Sequence, residues 1–219
     1  MEEKFITHIG TDESGKGDFF GPLVIAGVMV DEKTAKLFTD LKIRDSKTIT
    51  DKRILEMAEQ IKKHAVYSVI AVGNAKYNEL YKNFANLNKL LAWGHAKAIE
   101  NILEKNMCEY ALSDKFGDES LIKNALQKRG QTIRLEQMVR AESDIAVAAA
   151  SVLARATFVQ KMKQMELTYG CDFPKGCNSI VKDAAAKFIA KHGKEKLIEV
   201  CKAHFKTYKE VLILSLIHI

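Results

Sequence analysis

The sequence predicts an α/β fold in which a five-stranded mixed sheet is flanked by helices, with a helical C-terminal region. Three strand-like segments precede residue 73, helical and strand-like segments then alternate, and only helical segments follow residue 142. The chain has 219 residues, is 47% hydrophobic and contains only two prolines, which is typical of one domain with a sizeable core. We assign residues 1–210 to this domain and 211–219 to an apolar tail.

The predicted strands are apolar segments rich in β-branched residues. The clearest is "PLVIAGVMV", residues 22–30, whose continuous apolar run is typical of a buried strand. The first strand is predicted to end at Gly10, where a glycine-rich motif begins. The other predicted strands cover residues 5–10, 64–72, 110–114 and 131–138.

Helical periodicity accounts for most of the remaining chain. Thr50 and Asp118 are residue types that cap helix N-termini, so each is predicted to start a helix. An alanine-rich helix begins at Ser143 and presents small side chains suited to close packing on a sheet. The predicted helices cover residues 50–63, 86–105, 118–128, 143–166, 182–192 and 194–204.

Charge and cysteine content restrict the function classes. The net charge is +6 with a pI of about 9.0, and residues 182–209 hold eight lysines against three acids. This excess fits a nucleic-acid backbone, but charge alone favours a solvated helical surface. The four cysteines form no C-x-x-C pair, so we expect no zinc site and free thiols in a reducing cytoplasm. No signal peptide and no run of about 20 apolar residues is present, so no membrane partner is expected.

The last nine residues, "VLILSLIHI", are unusually apolar for a chain terminus. They are too short to span a bilayer. Two interpretations stay open: they extend a final helix onto the core, or they are not part of the natural sequence.

The motif G-T-D-E-S-G-K-G, residues 10–17, has the glycines and lysine of a phosphate-binding P-loop. A P-loop requires a following helix and a hydroxyl residue after the lysine. Here a strand-like segment follows, Gly17 occupies the hydroxyl position, and Asp12 and Glu13 would repel a triphosphate. The two acids instead suit a hard divalent cation such as Mg²⁺, although ordinary turn residues are the simpler interpretation of the pair alone.

A phosphodiester hydrolase that uses two metal ions needs further carboxylates near this pair. Asp114 ends a predicted strand, and a parallel neighbour of the first strand would bring it beside Asp12. Glu142 precedes the alanine-rich helix and is preferred as the fourth acid, whereas Asp144 suits the first turn of that helix. The choice between Glu142 and Asp144 stays open.

Taken together, the segments resemble the type 2 ribonucleases H, and within them ribonuclease HIII, from about residue 9 to 211. The strongest likeness is the opening G-x-D-E-x-G-x-G motif followed by "DFFGP". Other segments resemble the family in the same order: "IRDSK" at 43–47, "NAKYN" at 74–78, "ALSDKF" at 111–116, "AVAAASVLAR" at 146–155, "PKG" at 174–176 and "HFKT" at 204–207.

The resemblance implies an RNase H-like fold and a Mg²⁺- or Mn²⁺-dependent endonuclease that cuts the RNA strand of RNA–DNA hybrids. It implies 5′-phosphate and 3′-OH products and a monomer. Two alternatives stay open: ribonuclease HII-type cleavage at single ribonucleotides in duplex DNA, and a non-catalytic hybrid-binding module. The implied catalytic and metal-binding residues are Asp12, Glu13, Asp114 and Glu142, and the implied substrate-binding residues are Gly15, Lys16, Gly17, Ser46, Lys47 and Ser151.

Overall fold

A five-stranded mixed sheet is the framework of the structure, a computed structural model that describes residues 5–43, 49–118 and 120–217. The strand order is β3-β2-β1-β4-β5. β1 runs antiparallel to β2 and parallel to β4, and β4 is parallel to β5. The predicted fold class is therefore confirmed. The strands are β1 His8–Ser14, β2 Leu23–Val30, β3 Val66–Val72, β4 Tyr110–Asp114 and β5 Arg134–Met138.

The central strand β1 is longer than predicted. Instead of ending at Gly10, it continues to Ser14, which pairs with Val24 of β2. The polar residues Asp12 and Glu13 therefore lie inside the strand, because the apolar β2 provides a complete antiparallel partner for it. Their side chains follow the alternation of a strand and point to opposite faces of the sheet.

The predicted helix start at Thr50 is confirmed by its cap, whereas the helix predicted from Asp118 is described from Ser120, which is hydrogen-bonded to Asp118. Thr50 Oγ1 accepts a hydrogen bond from Arg53 N–H, and Asp118 Oδ1 accepts one from Ser120 N–H. Three helices in the described ranges were not in the predicted set, those over residues 32–40, 74–84 and 206–217, the last of which is one of the two open interpretations of the tail. The helices are α1 Glu32–Asp40, α2 Asp51–His64, α3 Asn74–Phe84, α4 Leu87–Leu103, α5 Ser120–Ala125, α6 Ile145–Tyr169, α7 Ser179–His192, α8 Leu197–Val200 and α9 Lys206–Ile217.

The predicted helix over residues 194–204 was wrong in its second half. A short 3₁₀ turn leads into α8, which ends at Val200. Cys201 is extended, with φ −129° and ψ 165°, and forms an antiparallel bridge with Phe20. This tertiary pairing overrides the helical pattern of the local sequence.

The chain divides into two compact units. The first contains residues up to Ser14, Val24–Ile70 and Asn86–Thr157. One face of its sheet packs on α4, where Ile9, Ile99 and Ala111 belong to one buried cluster. On the other face, a Cβ atom added to Gly10 would lie 2.2 Å from backbone atoms of Ala146 and Val147 in α6. Glycine at position 10 therefore allows α6 to approach β1 closely.

The second unit contains Gly15–Leu23, Ala71–Ala85 and Phe158–Ile219. Its interior is aromatic: the rings of Phe19 and Phe20 meet at 4.8 Å, and those of Phe20 and Phe173 at 5.0 Å. Gly21 has φ +82°, and a Cβ there would lie 2.2 Å from Met162 Sδ, so both conformation and space require glycine.

Two apolar helices, α6 and α9, bear on the predictions of a tail and of no membrane-spanning segment. α9 continues to Ile217, through most of the predicted tail, and Val211 is completely buried. By length and composition α6 could cross a membrane, contrary to the sequence-based expectation that no segment could. Since 67% of its most apolar window is buried within the protein, α6 has the burial of a core helix.

Candidate active site

Asp12 lies on the α6 face of β1, where its carboxylate is hydrogen-bonded by Ser151. The backbone N–H of Glu13 also donates to Asp12 Oδ1, at 2.8 Å. Burial, the charge of Glu13 and, to a smaller extent, Asp114 raise the pKa of Asp12 to about 7, against the opposing effect of the two hydrogen bonds. Asp12 is thus a strongly perturbed acid of the kind found at functional sites.

Asp114 lies next to Asp12 because β4 is the parallel neighbour of β1. Thr11 is paired with Ser113, which places the following residues of both strands at the same end of the sheet. Asp114 Oδ1 accepts a hydrogen bond from Ala141 N–H at 3.2 Å. The sequence-based expectation that parallel pairing brings these two acids together is thereby met.

The same hydrogen bond anchors the turn that carries Glu142. Ala141–Ser143 is a single 3₁₀ turn between β5 and α6. Arg140, just before it, has a left-handed backbone with φ 59°, an unfavourable conformation for a residue with a side chain. The chain thus turns sharply after β5, and partly buried Glu142 follows directly after the residue bound to Asp114.

Asp144, the other acid considered for the fourth position, bonds the start of α6 and His8. Its Oδ1 accepts hydrogen bonds from Ala146 N–H and Val147 N–H, which caps α6. Its Oδ2 lies 2.9 Å from His8 Nε2. Burial alone would lower the pKa of His8, but the hydrogen bond to Asp144, the hydrogen bond to Ile6 O and the charge of Asp144 together outweigh burial and raise that pKa. This partly buried pair at the helix start agrees with the interpretation of Asp144 as a structural acid.

Glu13 points to the opposite face of the sheet from Asp12. Its Oε2 lies 3.1 Å from Nε2 of His95 in α4. The other ring nitrogen, Nδ1, lies 2.9 Å from Thr11 Oγ1, and the ring stacks on Phe116. His95 is completely buried, so Glu13 has a fixed partner on the α4 side.

No motif in the sequence pointed to a role for His95. A signal was available: His95 lies four residues after Leu91 and four before Ile99, both of which are buried residues of α4. A polar residue on the buried face of a helix needs a hydrogen-bonding partner, and β1 supplies two.

The acids fit a divalent cation in their chemistry. Carboxylate oxygens are the ligands that Mg²⁺ and Mn²⁺ prefer, and a cation would offset the cost of the buried charge on Asp12. Within residues 5–43, 49–118 and 120–217, however, no group of three or more His, Cys, Asp and Glu side chains is arranged to hold a metal ion. The structure brings Asp12 and Asp114 together and directs Glu13 to His95.

The predicted substrate-binding residues Gly15, Lys16 and Gly17 form a turn in the second unit. Asp18 N–H donates to Gly15 O at 3.3 Å, which closes the turn around Lys16 and Gly17. Gly15 has φ +85°, and a Cβ there would lie 2.3 Å from Pro22 O. Gly17 is exposed, and a Cβ there would meet no atom within 4 Å. The predicted substrate-binding residues Ser46 and Lys47 lie outside the described residues.

The motif is followed by the strand β2 rather than by a helix, which argues against a P-loop.

Comparison with known proteins identifies the family. The sequence model of the family described as "Ribonuclease HII" matches residues 9–208. The chain belongs to the ribonuclease HII family. Ribonuclease HIII of Protochlamydia amoebophila is 44% identical over 205 residues, which cover 94% of this chain and 68% of that protein. Ribonuclease HIII of Chlamydia felis is 47% identical over 214 residues, covering 96% and 71%.

A solved structure gives the same family assignment. The crystal structure of Bst-RNase HIII in complex with Mn²⁺ superimposes with a TM-score of 0.89 at 30% identity, over 98% of this chain and 71% of that one. This member of the ribonuclease HII family is therefore a ribonuclease H enzyme with activity on RNA–DNA hybrids.

Proposed function

We propose that hydrolysis depends on Mg²⁺ or Mn²⁺ and on the four predicted acids, Asp12, Glu13, Asp114 and Glu142. The observation that carries this proposal is the partly buried Asp12 carboxylate beside Asp114, whose charge helps to raise the pKa of Asp12. Two acids this close raise the free energy of the folded protein, and a bound divalent cation is the ordinary compensation. The Mn²⁺ complex of Bst-RNase HIII supports divalent metal use.

In this proposal each acid has a role set by its position. Asp12 and Asp114 provide the central oxygen ligands on adjacent strands, and Ser151 orients Asp12 through its hydrogen bond. Glu142 approaches from the turn anchored on Asp114. Glu13 is bound by His95 on the other face of the sheet, so its carboxylate would have to turn away from His95 to become a ligand. When bound, divalent cations supply activation of the attacking water and neutralise charge on the scissile phosphate. The products are a 5′-phosphate and a 3′-OH.

Substrate recognition is proposed to follow ribonuclease HIII. The backbone of the Gly15–Gly17 turn reads the ribose 2′-OH, which distinguishes RNA from DNA. Ser46, Lys47 and Ser151 are proposed to contact the substrate, the first two through phosphates, which position a duplex without reading its sequence. The enzyme is proposed to act as a cytoplasmic monomer.

Cleavage of three labelled substrates tests the specificity. A full RNA–DNA hybrid, a DNA duplex with one ribonucleotide, and single-stranded RNA are each incubated with Mg²⁺ or Mn²⁺ and separated on a sequencing gel. We expect cleavage of the hybrid alone. Efficient cutting at the single ribonucleotide would assign ribonuclease HII-type specificity instead, and an uncut hybrid with either metal would reject the catalytic proposal.

Gly17→Ala tests the ribose-reading role of the turn. Since the added methyl group meets no protein atom, we expect the melting temperature to change by less than about 2 °C. The methyl group would block close approach of a ribose to the backbone, so hybrid cleavage should fall by about tenfold or more, an effect of about 1.4 kcal/mol. Both quantities are measured on the same preparation.

Gly73→Ala is the matched control for this substitution. Gly73 has an ordinary φ of −65°, and a Cβ there also meets no atom within 4 Å. Because Gly73 is the N-cap of α3, where Ala is less favourable, Gly73→Ala should lose about 1 kcal/mol of stability and keep cleavage. Wild-type cleavage by Gly17→Ala, or an equal loss in Gly73→Ala, would contradict a special role for the turn.

A further inference from the structure

Lys202 is a lysine with no solvent exposure, in the extended segment between α8 and α9. Its Nζ donates to Asp18 O at 2.8 Å and to Gly21 O at 2.7 Å. It also lies 5.5 Å from the centre of the Tyr77 ring, within the range of a cation–π contact. Lysine is almost never fully buried unless it is paired, so these two carbonyl groups account for its position.

The two carbonyl groups belong to the loop that follows the Gly15–Gly17 turn. Asp18 N–H closes that turn on Gly15 O, and its own carbonyl group is bound by Lys202. The loop therefore connects the end of the turn directly to the buried ammonium group. Because Gly15 and Asp18 are joined by a hydrogen bond, a displacement of Asp18 would also displace the turn.

Further bonds fix the remaining sides of this loop. Phe19 N–H donates to Gly176 O at 2.9 Å, and Asp18 Oδ1 accepts from Gly176 N–H. Gly21 O accepts a second hydrogen bond, from Asn74 Nδ2 at 2.8 Å. Among these contacts, Lys202 is the side chain that binds both ends of the Asp18–Gly21 loop.

Burying a lysine to donate hydrogen bonds to two carbonyl groups costs desolvation free energy. Burial lowers the pKa of Lys202 to about 7, although the nearby Asp18 carboxylate acts in the opposite direction. An apolar residue of similar size would avoid that desolvation cost but leave both carbonyl groups without this donor. What lysine adds is a fixed geometry of the Asp18–Gly21 loop.

We infer that Lys202 is a positioning residue for ribose recognition, which fixes the Gly15–Gly17 turn by binding the carbonyl groups of Asp18 and Gly21. This inference rests on the proposed function, in which that turn reads the 2′-OH. Lys202 has no contact with substrate in this account. Its effect is to hold backbone donors and acceptors in one arrangement, so that they match a ribose hydroxyl without reorganising.

Lys202→Met tests the inference, because it keeps most of the side-chain volume and removes the donors. Two matched hybrids with a single cuttable position are used, one with 2′-OH and one with 2′-fluoro on the nucleotide beside the cut. The measured quantity is the ratio of their kcat/KM values, which does not depend on the fraction of folded enzyme. We expect wild-type enzyme to prefer 2′-OH by about 100-fold or more, and Lys202→Met to lower this ratio about tenfold.

Phe188→Leu is the control for a purely structural effect. Phe188 is fully buried in the same unit, where its ring packs on Phe173, and it has no part in the Asp18–Gly21 loop. It should lose stability and keep the 2′-OH/2′-fluoro ratio. An equal fall of the ratio in Phe188→Leu and Lys202→Met would overturn the positioning role.

The remaining outcomes separate the inference from the function on which it rests. Wild-type enzyme without a 2′-OH preference would reject ribose reading by the turn. A wild-type preference that Lys202→Met retains in full would reject the role of Lys202 alone. If Lys202→Met is insoluble, Lys202→Gln replaces it, since the shorter amide keeps a donor; an intermediate ratio is expected, and an unchanged ratio overturns the inference.

Discussion

Replacing Asp12 with Asn is expected to lower kcat for hybrid cleavage by about 1,000-fold or more. Asn keeps an oxygen that can accept the hydrogen bonds from Ser151 and Glu13 N–H. It removes the negative charge that the proposed cations need. The rate of a labelled hybrid with Mg²⁺ or Mn²⁺ measures this loss, and full activity in the purified variant would reject the assignment of Asp12.

The same substitution is expected to leave the protein as stable as the wild type or more stable. The pKa of Asp12 is raised from 3.8 to about 7, so the folded protein favours the protonated carboxyl. Stability is therefore lost as pH rises from about 4 to about 7, where the unfolded chain ionises more readily than the folded one. Asn has no charge to bury, so its melting temperature at pH 8 without divalent metal should equal or exceed that of the wild type.

Metal binding provides a readout independent of activity. Adding Mg²⁺ or Mn²⁺ should raise the melting temperature of the wild type, because a ligand of the folded state stabilises it, and should do so much less for Asp12→Asn. Glu136→Gln is the control: Glu136 is an acid of β5 that binds Arg134 and Tyr110 rather than the other acids. Glu136→Gln should retain cleavage and the metal-dependent rise in melting temperature. A rise in Asp12→Asn as large as that of the wild type would argue against a metal at Asp12.

Gly10→Ala is expected to destabilise the protein by about 3 kcal/mol or more, or to prevent folding. The new Cβ would lie 2.2 Å from backbone atoms of Ala146 and Val147. Backbone cannot move aside as the end of a side chain can, so β1 and α6 would have to separate. Urea denaturation followed by circular dichroism measures the free energy of unfolding.

Gly27→Ala is the matched control on the neighbouring strand. A Cβ at Gly27 would come closest to Ile102 Cδ1, at 3.1 Å, and to Ala98 Cβ, at 3.4 Å. Because a flexible side-chain end is the tightest contact, we expect a change within about 1 kcal/mol. If Gly10→Ala were equally mild, the close approach of α6 to β1 would not be a constraint on the fold.

The sequence was most informative where local chemistry and tertiary structure agree. The apolar run of β2 and the capping residues Thr50 and Asp118 predicted elements that the structure contains. The sequence was least informative where pairing with a residue distant in the chain determines the local structure. β1 continues past Gly10 because β2 pairs with it, and Cys201 leaves the helical pattern because it pairs with Phe20.

The same distinction applies to the site. Asp114 could be placed beside Asp12 because parallel strands align their ends, which requires only the strand assignments. The direction of the Glu13 side chain could not be predicted, because it depends on the continuation of β1 past Gly10 and on the contact with His95 in α4. The contribution of Lys202 was equally hidden, because its two partners are backbone carbonyl groups more than 180 residues away in the chain.

The pairing of β1 also has a consequence for the order of folding. Eight residues, 15–22, separate β1 from its antiparallel partner β2, whereas about 95 residues separate β1 from β4. Closing the longer loop costs more chain entropy and delays the contact. The repulsion between Asp12 and Asp114 therefore arises only when β4 pairs with β1, after the β1–β2 pair has formed. It opposes this late step of folding and does not slow the formation of the β1–β2 pair.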